Sequence, residues 1–412
     1  MTDLVIIGGG ATGMAAAVML KRKKPNISIK ILEKNDRVLK KVSVTGNGRC
    51  NITNKNLMPE HYHGSGKNLA FELLKNFDLK SQEAFFESIG LPIVYEDNKG
   101  FPMSKQANSV VDCLRFAAES LNIDIVTNCE VKKIEKNNDG FCVTTESKNF
   151  TAKAVLIACG SCAGGGKLGT DSGYSLLKNM GHKIVERRPS LVQVKTDKTF
   201  VTSLKGIKVD AKCRILVNGT VLKTDNGEVL FCDYGLSGPP ILQLSRIASF
   251  NKGAVISLDL FPKLSAEQLL EFLSKRATTI LDRNCDEFFT GMLNKRLGQT
   301  ILKTQGIDRN KKVSNLNKSE IKCIVDVLKN FEFITDGTLG MNNAQVAAGG
   351  ADIKEFNKNL MSKKVNGLFA GGEVLDIDAD CGGYNLMYCW ASANTLCNSI
   401  TEFLEKEYGC YS

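Results

Sequence analysis

At 412 residues the chain is long enough for two or three domains around a sizeable buried core. Its 43% hydrophobic and 24% charged residues are ordinary for a soluble globular protein. No run approaches the roughly 18 apolar residues of a membrane span. The net charge of +10 would suit a nucleic-acid partner, but Lys and Arg are spread along the chain without interleaved aromatics. A solvated basic face with a few cations beside phosphates is the better expectation, and nucleic acid is not the expected partner. The start of the chain, Asp3 followed by a fold-committed strand, does not read as a secretory signal. The 14 scattered cysteines then read as reduced cytoplasmic thiols, not as a disulfide framework.

Leu4 to Ile7 is a short, fully apolar run that reads as a β-strand. Gly8-Gly9-Gly10-Ala11-Thr12-Gly13 follows at once, and then the helix-forming run Met14 to Lys24. Gly8, Gly10 and Gly13 fit G-x-G-x-x-G in the strand–turn–helix setting that gives the pattern its meaning. Gly8 permits the tight turn, Gly10 lets a pyrophosphate reach the backbone, and Gly13 lets helix and strand pack closely, with Thr12 a further expected contact. The helix N-terminus offers that pyrophosphate free N–H groups and the positive end of a dipole. Ile27 to Leu32 reads as the next strand, closed by Glu33 and Lys34. A carboxylate at Glu33 is placed to accept ribose hydroxyls and to repel a 2′-phosphate, which disfavours NADP in this position. The plain alternative is a glycine-rich turn of some other α/β domain.

The stretch Lys40 to Asn54 is too rich in glycine, asparagine and threonine for a helix or a core strand, and reads as a donor-dense loop held close to a ligand. Its Lys40-Lys41-Val42-Ser43-Val44-Thr45-Gly46-Asn47-Gly48-Arg49-Cys50-Asn51-Ile52-Thr53-Asn54 resembles the flavoprotein family that includes the bile-acid reductase BaiN and bacterial aminoacetone oxidase. The resemblance implies an α/β fold: a two-segment Rossmann-like FAD-binding domain with an inserted β domain and a helical cover domain. It implies FAD as cofactor, NAD(P)H as a candidate electron donor, and cofactor contacts at Lys41, Thr45, Gly46, Asn47, Arg49, Cys50 and Asn51.

Further along, Lys67 to Phe77, Leu79 to Ile89 and Ser104 to Asn122 have helical spacing. Ile123 to Val126, Cys129 to Glu135 and Phe141 to Glu146 are β-like, with Asn137 to Gly140 as a hairpin turn. In the family this meander lies against the adenine, which implies a backbone contact at Val131. Ala154 to Ala158 reads as a buried parallel strand, and the resemblance implies contacts at Ala158 and Gly160. Cys159-Gly160-Ser161-Cys162 is a C-x-x-C, expected to be a pair of small fillers and not a redox dithiol. It lacks the second pair that a zinc site needs. Gly164 to Gly169 formally repeats G-x-G-x-x-G but stands apart from both the preceding strand and the following helix, Gly173 to Met180. A nicotinamide site there is the minor alternative.

Residues 191–262 change texture to strands and turns, including turns at Asn218-Gly219 and Asn226-Gly227. Residues 263–330 are lysine-rich and helical, with Ser265 and Ser319 as N-caps. The expected division is 1–190 and 346–412 for the FAD domain, 191–262 with a return strand in 331–345 for the β domain, and 263–330 for the helical cover. In the last segment Gly371-Gly372-Glu373 and Asp376 to Leu386 open a helix running to about Leu404. Flavoproteins of this kind place the isoalloxazine at such a helix start, which implies contacts at Gly372, Glu373, Asp376, Gly383, Tyr384, Asn385 and Leu386. The carboxylates Glu373, Asp376, Asp378 and Asp380 lack the spacing of an EF-hand loop, and no metal is expected.

Together these features point to an FAD-dependent oxidoreductase acting on a small molecule, and the resemblance implies NAD(P)H-linked reduction of a steroid- or bile-acid-type enone or dienone as the specific expectation. A peroxide-forming oxidase of an amino ketone and a flavin-dependent RNA-modifying or redox-sensing protein are the alternatives. Arg49 and Tyr384 are the expected catalytic residues. The three histidines, His61, His63 and His182, form no evident acid–base pair. Oligomeric state is not legible.

Overall fold

Seven strands form the central sheet of the first unit: Thr2–Ile7 (β1), Ile29–Leu32 (β2), Asp124–Val126 (β3), Val131–Lys136 (β4), Phe141–Thr145 (β5), Asn149–Ile157 (β6) and Leu368–Ala370 (β7). The structure is a computed structural model that describes residues 1–409. The order is β3-β2-β1-β6-β5-β4, with β7 also pairing to β6. β1 is parallel to both β2 and β6, and every residue from Asp3 to Ile7 is buried, as an uninterrupted apolar run at the centre of a covered sheet requires. One edge of β6 is shared by two partners. Its first residues pair antiparallel with β5, while Val155 to Ile157 run parallel to β7 and carry the chain into the core.

The helix Ala11–Lys23 (α1) has Ala15, Ala16 and Ala17 fully buried, and these small side chains let it pack closely on the long C-terminal helix. That helix and the surface helix between are Tyr384–Tyr408 (α3) and Lys67–Asn76 (α2). The strand, turn, helix, strand order expected for residues 4–33 is therefore present. This unit comprises Met1–Arg187 and the segment from Val346 onward, so the chain leaves the first domain and returns to it.

The second unit, Arg188–Gln345, is a closed six-stranded barrel of Val194–Thr196, Gly235–Ser237, Thr220–Phe231, Lys208–Val217, Val255–Asp259 and Phe331–Thr338. Asn218 and Gly219 both have positive φ (51° and 78°), the signature of the tight hairpin turn expected there. Asn226-Gly227, expected as a second turn, lies instead inside a continuous twelve-residue strand, paired with Lys212 and Ala211. Turn-forming residues do not break a strand when a long partner covers them on one side. The helices of residues 263–330 share the barrel's core: Leu269, Leu273, Ile324 and Leu328 belong to the same buried cluster as Ile215 and Phe231. Ser265 closes a capping box with Gln268 as expected, but the helix Lys318–Lys329 is capped by Asn317 with Glu320, and Ser319 lies inside it.

His182 belongs to the first unit. Its side chain is fully buried and stacked on Phe356, with Nδ1 3.1 Å from Glu355 Oε2 and Nε2 3.0 Å from Ser362 Oγ. The array has the connectivity of a hydrolase triad, but Ser362 is buried and its oxygen already accepts the N–H groups of Lys364 and Val365. It is a structural clasp. Burial pushes the imidazole below its ordinary range, so His182 is neutral in the folded protein and protonates more readily once unfolded. Its contribution is complete above the ordinary imidazole range and lost as pH falls through it. Thermal unfolding followed against pH should show melting temperature falling on acidification, with a shallower slope in His182→Gln.

Candidate active site

The glycine turn after β1 is built to admit a ligand at one point and to exclude side chains elsewhere. Gly8 (φ +106°) faces the backbone of the β6 end, where a Cβ would stand 2.6 Å from Ala158 O, and a Cβ at Gly13 would stand 2.1 Å from Gly8 O. A Cβ at Gly10 meets only Ala158 O, at 3.9 Å, so the space above Gly10 is open. Gly10 is the N-cap of α1 and has no side chain to cap it, leaving the first-turn N–H groups of the helix without a side-chain acceptor. A pyrophosphate supplies those acceptors.

Glu33 stands at the end of β2 as expected, but its carboxylate also ties the turn together. Oε2 accepts Gly9 N–H at 2.8 Å, and Oε1 accepts the backbone and side-chain amides of Asn35 at 2.8 and 2.6 Å. The Cys129 N–H donates to Glu33 O, which brings the segment leading into Val131 alongside. Lys34 reaches Gly169 O at 3.1 Å, so the second glycine run folds back toward β2. That run forms a single four-residue helical turn, Gly165–Leu168, with no strand feeding it, and lacks the context of a second dinucleotide site.

Lys41, Gly160 and Glu373 come together from three distant segments. Lys41 Nζ lies 2.7 Å from Glu373 Oε2, the Ser161 hydroxyl donates to the same oxygen at 3.3 Å, and a Cβ at Gly160 would stand 3.8 Å from it. Ser161 is a member of this group that sequence reasoning passed over as part of the C-x-x-C. Gly372 presses on Thr12, where a Cβ would stand 2.3 Å from Oγ1, and this fixes the C-terminal segment against the first turn of α1. Asp376 is buried and accepts Ser65 N–H at 2.9 Å. Burial pushes the Cys159 thiol up to about 12 and the Cys162 thiol upward, and both are free. Thiols held protonated are poor nucleophiles. Cys159→Ser and Cys162→Ser, singly or together, should leave most turnover intact. A loss of about a hundredfold with cofactor retained would instead indicate a redox relay.

The Thr45–Asn51 loop turns back through left-handed residues, Gly46, Asn47 and Gly48 (φ +57°, +55° and +81°), and buries Cys50, whose thiol is pushed up to about 11 by burial. The loop meets the start of α3: a Cβ at Gly383 would stand 2.7 Å from Asn51 Oδ1, an oxygen that is buried and has no hydrogen-bond partner among the described residues. Gly383, the N-cap of α3, again has no capping side chain. Two uncapped helix starts, a cradle lined by glycine and an orphaned acceptor fit a long dinucleotide cofactor lying across the unit.

Arg49 and Tyr384 are both committed elsewhere. The Arg49 guanidinium lies 2.5 Å from Glu96 Oε2 and 4.3 Å above the Phe101 ring, and Lys105 and Arg49 together hold the Glu96 carboxyl down to about 2. Tyr384 donates its hydroxyl proton to Asn56 O at 3.0 Å, and burial pushes its phenol up to about 12. Asn385 braces the preceding loop, exchanging hydrogen bonds with Ala379 N–H and Ala379 O at 2.9 Å each, while Leu386 is partly buried beside it. Two histidines judged unpaired from the sequence are in fact paired. His61 Nδ1 and His63 Nε2 approach the two oxygens of buried Asp380 at 3.2 and 2.9 Å. Spacing could not reveal this, because the partners are more than 300 residues apart. Among the described residues no group of His, Cys, Asp and Glu is arranged to hold a metal ion, and no helix is long and apolar enough to cross a membrane.

The fold and the glycine cradle define a Rossmann-type, FAD-dependent oxidoreductase. The chain belongs to the HI0933-like family, whose Rossmann-domain model matches residues 2–399. It is 34% identical to a 3-dehydro-bile acid delta(4,6)-reductase of Clostridium scindens, over 95% of this chain and 97% of that protein. It is 27% identical to a ribosomal RNA dihydrouridine synthase of Haemophilus influenzae, over 97% and 98%. In fold it resembles a 3-ketosteroid-delta4-(5alpha)-dehydrogenase of Rhodococcus jostii, with a TM-score of 0.51 at 14% identity over 97% of this chain and 96% of that one.

Proposed function

We propose that the protein reduces a carbon–carbon double bond conjugated to a carbonyl, with a steroid- or bile-acid-type enone or dienone as substrate and NAD(P)H as electron donor. The observation that carries this is the end-to-end 34% identity with a reductase whose name specifies such a substrate. A cytoplasmic setting with reduced thiols belongs to the same proposal.

FAD, when bound, supplies hydride transfer. The chain's own residues bind and orient it. The N–H groups at the start of α1 hold the pyrophosphate, with Gly8, Gly10, Thr12 and Gly13 shaping its path. Glu33, Lys34 and the Val131 backbone take the adenosine end. Lys41, Ala158, Gly160, Gly372, Glu373 and Asp376 line the middle. The loop from Thr45 through Gly46, Asn47, Arg49 and Cys50 to Asn51 meets Gly383, Tyr384, Asn385 and Leu386 at the ring. The uncapped N-terminus of α3 would offer positive potential to the ring held there. Arg49→Ala and Asn385→Ala should weaken FAD or slow its reduction while the fold survives. Wild-type reduction rates and FAD affinity in both would move the site elsewhere.

A second substrate class is favoured by the 27% identity to the RNA dihydrouridine synthase. The uracil C5=C6 bond is conjugated to the C4 carbonyl, so it poses the same electronic problem as an enone. The test is anaerobic. The protein is reduced with NADH or NADPH and then mixed with a steroid enone, a uridine-containing ribosomal RNA fragment, or neither, while flavin absorbance is followed. Rapid reoxidation by the enone alone is expected. Reoxidation by RNA alone would select the second class, and in a separate aerobic assay peroxide formed from O2 with an amino ketone as electron donor would select oxidase chemistry.

A further inference from the structure

Two of the three histidines in the chain converge on one carboxylate at the threshold of α3. The strands Tyr62–His63 and Asp378–Ala379 pair antiparallel, with Asp378 opposite His63 and Ala379 opposite Tyr62, and Asp380 N–H donates to His61 O. This register sets both imidazoles on Asp380, whose side chain is only 9% exposed, while those of His61 and His63 are 22% and 24% exposed. The acid is shielded and the rings reach solvent. Asp380 is followed by Cys381, Gly382 and Gly383, and the His61 ring stacks on Tyr384, the first residue of α3, at 4.1 Å between centroids.

The tyrosine beside this pair is a poor proton donor. Its hydroxyl is spent on Asn56 O, its phenol is raised, and the Tyr62 hydroxyl donates to Tyr384 O. Each histidine, in contrast, presents one ring nitrogen to Asp380 and keeps the other outside that contact. His61 Nε2 lies 3.5 Å from the Asn56 amide, and no partner is found for His63 Nδ1 among the described residues. Other ionisable groups nearby are few. Asp376 and Asp378 are buried in the same segment, and the Tyr62 phenol is raised well above its ordinary value. On α2, which packs against this hairpin, Lys67, Glu72 and Lys75 are exposed.

We infer that His61 and His63, seated on Asp380, are the proton reservoir of the reduction and deliver the proton that accompanies hydride transfer to the substrate double bond. The inference rests on the enone proposal for the identity of the acceptor. In the balanced step the substrate β-carbon gains a hydride from the dihydroflavin. The π pair moves toward the α-carbon, and the α-carbon takes a proton from an imidazolium. The substrate is reduced by two electrons and the flavin oxidised by two, and the neutral imidazole regains its proton from solvent.

The test compares FAD-loaded wild type with His61→Gln/His63→Gln and with Asp380→Asn. Flavin midpoint potential is measured against pH, and reoxidation of the reduced protein by 4-androstene-3,17-dione is followed across about pH 5 to 8. Wild type should show a bend in the potential profile, and reoxidation that slows as pH rises. The double variant should keep FAD, lose the bend and reoxidise on the order of a hundredfold more slowly. Asp380→Asn should also alter the bend and slow reoxidation, and it serves if the double variant loses FAD. A wild type without a bend, a double variant that keeps both bend and rate, or an Asp380→Asn variant with the wild-type profile and rate would each overturn the proposal. A bend that the histidine changes abolish, in a protein that no enone reoxidises, supports the proton reservoir and removes the enone assignment instead.

Discussion

Gly10→Val should yield a folded, colourless protein. The wild type is expected to purify yellow, with one FAD per chain, because the turn after β1 leaves room above Gly10 and nowhere else. A Cβ there meets only Ala158 O at 3.9 Å, and the backbone is extended at φ −83° and ψ −167°, which valine accepts. The isopropyl group therefore fits the protein and occupies the pyrophosphate's place. Gly13→Ala makes the opposite case. Its methyl would stand 2.1 Å from Gly8 O, so strand and helix must separate, at a cost of about 1–3 kcal/mol or more. Flavin absorbance per chain and thermal unfolding separate the two outcomes. A Gly10→Val protein with full flavin content would show that the cofactor does not cross this turn.

Trp390→Ala should be the most damaging single change outside the glycines. Trp390 is fully buried on α3, packs edge-to-face on Phe86 at 5.2 Å, and donates Nε1–H to Ile52 O at 3.1 Å. Truncation removes a large core side chain, a loss of about 3–5 kcal/mol, and leaves the Ile52 carbonyl without its donor. Ile52 directly follows the Thr45–Asn51 loop, so FAD should dissociate more readily as well. Trp390→Phe keeps most of the ring volume and isolates the hydrogen bond, with an expected cost of about 1–3 kcal/mol. Urea unfolding midpoints for the pair, with FAD release measured alongside, test both parts. Equal midpoints for Trp390→Ala and wild type would refute the role assigned to this anchor.

What was legible in advance was local. The strand, glycine turn, helix and acid of residues 4–33 are spelled out by short-range rules, since the turn needs φ values and close approaches that only glycine meets. Ser265 was legible as a cap for the same reason: a cap and its partner sit three residues apart. At the helix Lys318–Lys329 the expected cap, Ser319, was overridden. Asn317 and not Ser319 begins its helix, because Asn317 Oδ1 accepts the Glu320 N–H and the Glu320 carboxylate accepts the Asn317 N–H in return. Asn226-Gly227 carries turn residues, yet it stays in a strand because the partner strand pairs straight through it.

The sequence by itself determined the class of cofactor cradle, the helix start that faces it and the family resemblance, because each is written in contiguous residues. Tertiary structure alone decided how the side chains are used. Arg49 is tied to Glu96, the Tyr384 hydroxyl to Asn56, Lys41 to Glu373, and the two histidines to Asp380. Each of these contacts except the first joins segments more than 300 residues apart in opposite ends of the chain, and the Tyr384 contact spans 328. Such pairs depend on which strand lies beside which, and no spacing along the chain encodes that.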